Sequence, residues 1–300
     1  MPRTAHRALG ARLAARPVLE PVSGWYLGFG QSANIAARFR KKIWRLFRDP
    51  FQVSWLEGLQ LTLIPGNETS RSVFVTGRYE PNEFCLLSRL LKPGMTFIDI
   101  GANMGLYTLF AAHRVGESGY VLAIEPSRRE MQMLKNNVEQ NALRNVNSYP
   151  MALSDQGAEV ELLVASLQNS GHNTLGAFGY NTALDHKERV RTVRLDELVQ
   201  SEKRDRVDVI KMDIEGAELA ALRGAGDTIE RYRPVVLVEL SDRALRHQSS
   251  TSADVLALLT QHGYRFFGFA VDTGLPTPLE PRKHFDSENI IAVSGDSLPW

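Results

Sequence analysis

The sequence predicts a doubly wound α/β fold with a mainly parallel sheet, on three observations. Apolar strand-like runs alternate with helical stretches from residue 95 onward. A glycine turn, Gly101-Ala102-Asn103-Met104-Gly105, joins the first of these strands to its helix. Acids stand where later strands end, at Glu125 and Asp213. Alternation of this kind puts helices on both faces of a sheet. Ligands of such sheets sit beyond the carboxyl ends of the strands, where strand order reverses.

The elements follow in order. Residues 61–76 alternate as short strands, with Leu61, Leu63 and Ile64 in one and Val73, Phe74 and Val75 in the next. Residues 83–91 read as a helix stopped by Lys92-Pro93-Gly94. Strands are expected at 95–100, 120–124, 145–152, 207–213, 234–240, 264–269 and 289–293. Helices are expected at 106–114, 128–141, 217–223 and 252–262. Residues 155–206 form an insert. It holds a hairpin strand at 159–164, a flexible Gly-, Asn- and Ser-rich patch at 168–182 and a strand-like run at 190–195. Loops at the mouth of a sheet often carry substrate contacts.

The 300 residues divide into a basic accessory region, 1–60, and a catalytic-size domain, 61–300. Residues 1–50 carry ten Arg or Lys against two acids, Glu20 and Asp49. The remainder carries 25 basic and 32 acidic residues, and net acid repels nucleic-acid phosphate. The stretch 38–48 places Phe39, Ile43, Leu46 and Phe47 on one helical face amid Arg and Lys. It can dock on a membrane or nucleic acid, or pack on the domain with a solvated basic face. One cysteine, Cys85, excludes an intramolecular disulfide and fits a reducing, cytoplasmic setting. No run of 18 apolar residues suggests a membrane span. The arginine-rich start lacks a secretory apolar core and shares its composition with transit peptides and with short disordered starts.

Four motifs carry chemistry. In Phe97-Ile98-Asp99-Ile100-Gly101-Ala102-Asn103-Met104-Gly105, an apolar strand enters a tight turn, and Gly101 and Gly105 let a ligand approach the backbone. The spacing differs from the Gly-x-Gly-x-x-Gly that seats a pyrophosphate, and Asp99 favours a cationic amino group over a phosphate. Glu125, in Ile124-Glu125-Pro126, can accept both hydroxyls of a ribose. Ser154-Asp155, after the third strand, is either an adenine-contacting loop or an ordinary turn. Val209-Ile210-Lys211-Met212-Asp213-Ile214-Glu215-Gly216-Ala217-Glu218 gathers three acids where a strand ends and a helix begins. Glu215 and Glu218 there can equally serve as helix caps. His172 and His186 lie in the insert, and a histidine there can act as a base near neutral pH. No His, Asp and Glu spacing marks a metal site.

The runs FIDIGANMG, IEP, ALSD, VIKMDIEGAE and RPVVLVEL resemble the FkbM-type methyltransferases, as do GRYEPNEF and SENIIAV. The resemblance spans residues 77–293. It implies a class I methyltransferase, Rossmann-like sheet of seven strands whose last runs antiparallel. It implies S-adenosyl-L-methionine as donor and a hydroxyl of a sugar, glycan or natural product as acceptor. By position, Asp99, Gly101, Asn103 and Gly105 would hold the methionine part, Glu125 the ribose and Asp155, with Ser154, the adenine. Asp213 would lie near the transferred methyl, and Asp213, Glu215 or His172 would take the acceptor's proton. Three other readings stay open: a nicotinamide-dependent oxidoreductase or epimerase, an RNA methyltransferase and a non-catalytic scaffold.

Overall fold

The computed structural model describes residues 31–270 and 273–295. The arginine-rich start lies outside them, so nothing structural bears on its transit-like composition. The chain enters on helix α1 (Gln31–Trp44), strands β1 (Phe51–Ser54) and β2 (Gln60–Leu63), and helices α2 (Glu68–Thr76) and α3 (Pro81–Leu90). Then come β3 (Thr96–Ile100), α4 (Leu106–Val115), β4 (Tyr120–Ile124), α5 (Arg128–Gln140) and β5 (Val146–Tyr149). The insert supplies β6 (Ala152–Leu153), β7 (Ala158–Ala165), a 3-10 helix (Leu167–His172) and β8 (Leu184–Val193). The remainder is α6 (Leu195–Ser201), β9 (Val209–Met212), α7 (Glu218–Arg223), α8 (Gly226–Tyr232), β10 (Val235–Ser241), α9 (Asp242–Arg246), α10 (Ser252–Gln261), β11 (Tyr264–Phe269), β12 (Pro276–Pro278) and β13 (Asp286–Ser294).

The main sheet runs β12-β11-β13-β10-β9-β3-β4-β5. The strands from β10 to β5 are parallel, and β13 is antiparallel to both β10 and β11. The expected seven strands are present, with an eighth, β12, folding back along the edge strand β11. The insert makes its own three-stranded sheet, β6-β8-β7. Strand order reverses at β3, which has β4 on one side and β9 on the other.

Alternation fixes both layers. In β3, Phe97 enters one core cluster while Ile98 and Ile100 enter the other. In β10, Val235 and Leu237 join the first cluster, and Val236, Val238 and Leu240 the second. The period therefore puts Asp99, Lys211 and Glu239 on a single face, that of the first cluster. In register, Asp99 lies opposite Lys211.

Three sequence expectations change. Residues 73–75 are helical, not extended. Asn67 caps α2 by accepting from the Ser70 amide, and Ser70, Val73 and Phe74 are buried at helical spacing. The run 145–152 splits into β5 and β6 at Pro150, which has no amide to donate. Finally, the buried apolar residues from Ile43 to Leu59 share one core with Leu109, Phe110 and Val209, so this described part of the accessory region packs on the domain.

Candidate active site

A cavity of about 530 Å³ opens at the carboxyl ends of β3, β4 and β9, roofed by the insert. It lies at the reversal of strand order, as such sheets predict.

Its floor is the turn after β3. The Gly101 amide donates to Ile124 O at 2.9 Å, and its φ of 79° is left-handed. A Cβ there would meet Asp213 O at 1.9 Å. Glycine is thus demanded by chain against chain, not by an approaching ligand as the motif alone suggested. Gly105 has φ 92° at the start of α4 and packs on Leu134, and it is not part of the cavity wall. Asn103, at φ 49°, lines the cavity and donates its amide to Glu125 Oε2 at 2.9 Å.

Glu125 is buried at the end of β4 and also accepts from the Ser127 amide at 2.9 Å. Burial, then the neighbouring Glu130, pushes its carboxyl up to about 8 against those two bonds. Beside it Ile124, Pro126, Met151 and Leu153 form an apolar slot. Ser154 and Asp155 stand outside this slot. Ser154 O packs under Gly224, and Asp155 is solvent-exposed. Neither of the two residues expected at the adenine lines the cavity.

Asp99, expected at the methionine part, does not line the cavity. It is fully buried beneath the turn, where Oδ2 accepts from Thr108 Oγ1 at 2.6 Å and Oδ1 has no hydrogen bond. Its charge is aimed at Lys211 within the sheet layer. Lys211 is itself buried, its Nζ 3.3 Å from Asp213 Oδ2 and 4.9 Å from the Tyr107 ring centroid. Burial disfavours the ammonium, but Asp213, Asp99, Glu80 and Glu239 together raise its pKa.

Asp213, Glu215 and Glu239 each line the cavity, and one oxygen from each lies within 4.8 Å of the others. Spacing in the sequence did not reveal this cluster, because Glu239 comes from a different strand. Three carboxylates at that separation can offer oxygens to a divalent ion. The countercharge present among the described residues is Lys211. Burial opposes the Asp213 carboxylate, yet Lys211 and a hydrogen bond from Glu239 hold its pKa below the usual value. Glu239 moves the other way, raised by burial and by Asp213, so the two share one proton that Glu239 keeps. Glu215 is pushed up to about 9 by burial and by Asp213. Glu218, read as a possible cap, accepts from the Ile214 and Gly216 amides at 3.1 and 3.2 Å.

His172 closes the cavity from the insert. Its Nδ1 lies 2.9 Å from Thr182 Oγ1 and its ring 4.9 Å from that of Tyr180. Burial lowers its pKa, while Asp213 pulls in the opposite direction. His186 is elsewhere, exposed between Asp185 and Glu188. The insert is held over the sheet by Asn67, whose Nδ2 donates to Ser170 Oγ at 2.7 Å, and by Asn173, which donates to Glu130 at 3.0 Å.

Lys211, Glu239, Glu80 and Tyr180 were not assigned from sequence. Signals existed for two: Lys211 interrupts Val209-Ile210-Met212, and Glu239 interrupts Val235 to Leu240. A charge in the middle of a buried strand needs a partner.

The family model for the methyltransferase FkbM domain matches residues 99–266. Curated relatives include Methyltransferase 1 of Beauveria bassiana, 28% identical over 48% of this chain and 64% of that protein. The hexuronic acid methyltransferase AglP of Haloferax volcanii is 24% identical over 54% of this chain and 60% of its own. The 31-O-demethyl-FK506 methyltransferase FkbM of Streptomyces tacrolimicus is 28% identical over 58% of this chain and 74% of its own. The chain spans less than two thirds of the first two. The chain belongs to the FkbM methyltransferase family, as its motifs resemble. No described helix is long and apolar enough to cross a membrane.

Proposed function

We propose that the chain transfers a methyl group from S-adenosyl-L-methionine to a hydroxyl of a sugar, glycan or natural-product acceptor. The observation that carries this reading is the cavity's division into two chemistries. One end has an apolar slot and a carboxylate, Glu125, suited to adenine and a ribose diol. The other has the charged Asp213 carboxylate, flanked by the protonated Glu215 and Glu239, suited to a sulfonium and an amino group. The donor, when bound, supplies an activated methyl whose leaving group is a neutral thioether.

The residues then have distinct tasks. An attacking hydroxyl gains positive charge, so a base must take its proton. Near neutral pH Glu215 and Glu239 hold their own protons. Asp213, its pKa depressed, binds a proton weakly. His172 is left as the acceptor. With Nδ1 donating to Thr182, its Nε2 lone pair is free for the hydroxyl proton. Asp213 then stabilises the imidazolium as it forms. Among the relatives, the names of two include a hexuronic acid methyltransferase and a demethyl-FK506 methyltransferase, which favour an oxygen acceptor.

The test is transfer of label from methyl-labelled donor to a panel of uronic acids, glycans and hydroxylated macrolides. Label recovered as a methyl ether supports the reading. Label recovered on nitrogen, on RNA or only in water overturns it.

A further inference from the structure

We propose that α1 and the turn after it form a docking surface for an anionic lipid bilayer. The rotation of α1 about its axis is fixed by Ile43 and Trp44, and the turn after it is pinned by Phe47, all buried. Phe47 stacks on Phe51 with ring centroids 4.0 Å apart, and Trp44 packs on Phe74 of α2 at 5.5 Å. The apolar face read from sequence therefore splits in two. Ile43 and Phe47 turn into the core, and Phe39 and Leu46 turn out, 55% and 56% exposed.

Phe39 lies on α1 and Leu46 in the turn that follows it, with Lys42 on the helix between them in the chain. Arg38 precedes Phe39 and Arg45 precedes Leu46, and Arg38, Lys41, Lys42, Arg45 and Arg48 are all exposed. Among the described residues, Arg38, Lys41, Lys42 and Arg45 form no ion pair with an acid. Arg48 donates to the Arg45 and Phe47 carbonyls, which closes the turn after α1. The other exposed large apolar side chains among the described residues, Leu184 and Leu275, are less open to water at 49% and 41%, and both lie elsewhere in the chain. Two large apolar groups held outward inside a field of uncompensated cations match an interfacial helix. The Phe39 ring and the Leu46 side chain enter the acyl boundary while the cations meet lipid phosphates.

RNA would satisfy the cations but not this geometry, since Leu46 offers a base no face to stack on. The placement has a consequence for the cavity. Helix α1 packs on α2, and α2 contributes Glu68, Thr69 and Ser72 to the cavity wall. A docked α1 brings that wall toward the lipid surface.

The full chain should be sedimented with vesicles of phosphatidylcholine alone and of phosphatidylcholine mixed with phosphatidylserine. Binding is expected to the mixed vesicles only, and to weaken with added salt. Each basic residue at an anionic surface is worth about fivefold in partitioning, so Lys41→Glu with Lys42→Glu should abolish the serine-lipid preference. Phe39→Ser with Leu46→Ser keeps every charge, and should lower partitioning at least about tenfold with an unchanged melting temperature. Three results overturn the proposal. These are no preference for the mixed vesicles, a double serine variant that loses binding only together with its melting temperature, and polyuridylate that displaces the protein from vesicles.

Discussion

Glu125 and Asp213 stand at the ends of β4 and β9, on either side of the glycine turn, and the fold holds them by different means. Glu125 is fixed by two backbone amides, those of Asn103 and Ser127. Asp213 is fixed by charge, with Lys211 at 3.3 Å and a proton shared with Glu239. The first arrangement sets the shape of a loop and changes little with pH until Glu125 titrates. The second is a balance of one cation against several acids, which a proton can tip. On the proposed function, one end of the cavity binds and the other reacts.

The largest expected effect is at the reacting end. His172→Ala should lower turnover by about 10²–10⁴, roughly 3–5 kcal/mol, with little change in S-adenosylhomocysteine affinity. The wild-type rate should fall as pH drops through the His172 pKa, which burial holds below 6.5. That acidic limb should vanish in the variant. Single-turnover transfer across pH checks both. If Asp213→Asn shows the greater rate loss and His172→Ala keeps the limb, the roles are reversed.

Next comes the turn between the two ends. Gly101→Ala adds a Cβ at a left-handed φ of 79°, 1.9 Å from a backbone oxygen of Asp213. A loss of about 2–4 kcal/mol of stability is expected. Denaturant unfolding measures it. A stable variant that only fails to bind ligand would restore the simpler idea that this glycine makes room for the donor.

At the binding end, Glu125→Gln keeps the shape but puts an amide where one backbone N–H must be received. S-adenosylhomocysteine affinity should weaken by about 1–3 kcal/mol, while the rate at saturating donor changes less. Titration calorimetry reads the first and single turnover the second. An effect on rate alone would erase the distinction between the ends.

The smallest effect is a slope. Glu215 binds its proton up to about pH 9 when folded, against 4.5 ordinarily. The folded state therefore holds the extra proton in that window, so this group's stabilisation is present at low pH and is lost as pH rises. Glu125, at about 8, and Glu80, at about 7, act with the same sign. Melting temperature should decline across the window, and Glu215→Gln should flatten part of the decline. An unchanged slope would remove Glu215 from the shared charge balance.

The contrast also explains what the sequence made legible. The binding end is local: Gly101, Asn103 and Glu125 come from one strand-turn-helix-strand unit, so the motif located them together. Even there the reason for Gly101 was hidden, because the atom it must avoid belongs to Asp213, far along the chain. The reacting end is assembled from β9, β10 and the insert. Lys211 and Glu239 meet Asp213 only once β9 has paired with β10, which no spacing within one segment encodes. His172 was found by residue type, but its place over Asp213 depends on the anchors at Asn67 and Asn173. Ser154 and Asp155 show the opposite case. A local pattern suggested a contact, but Pro150 ends the strand early and the chain turns the loop outward. Helix α2 was missed because its β-branched run outweighed its capping signals, Asn67 and Gly77.

The central claim is that this cavity takes a sulfonium donor and not a nicotinamide dinucleotide. Calorimetric titration of the full chain with S-adenosylhomocysteine and, separately, with NAD tests it most directly. The account predicts saturable binding of the homocysteine product and no heat of binding from NAD. Binding of NAD, with none of S-adenosylhomocysteine, would contradict it.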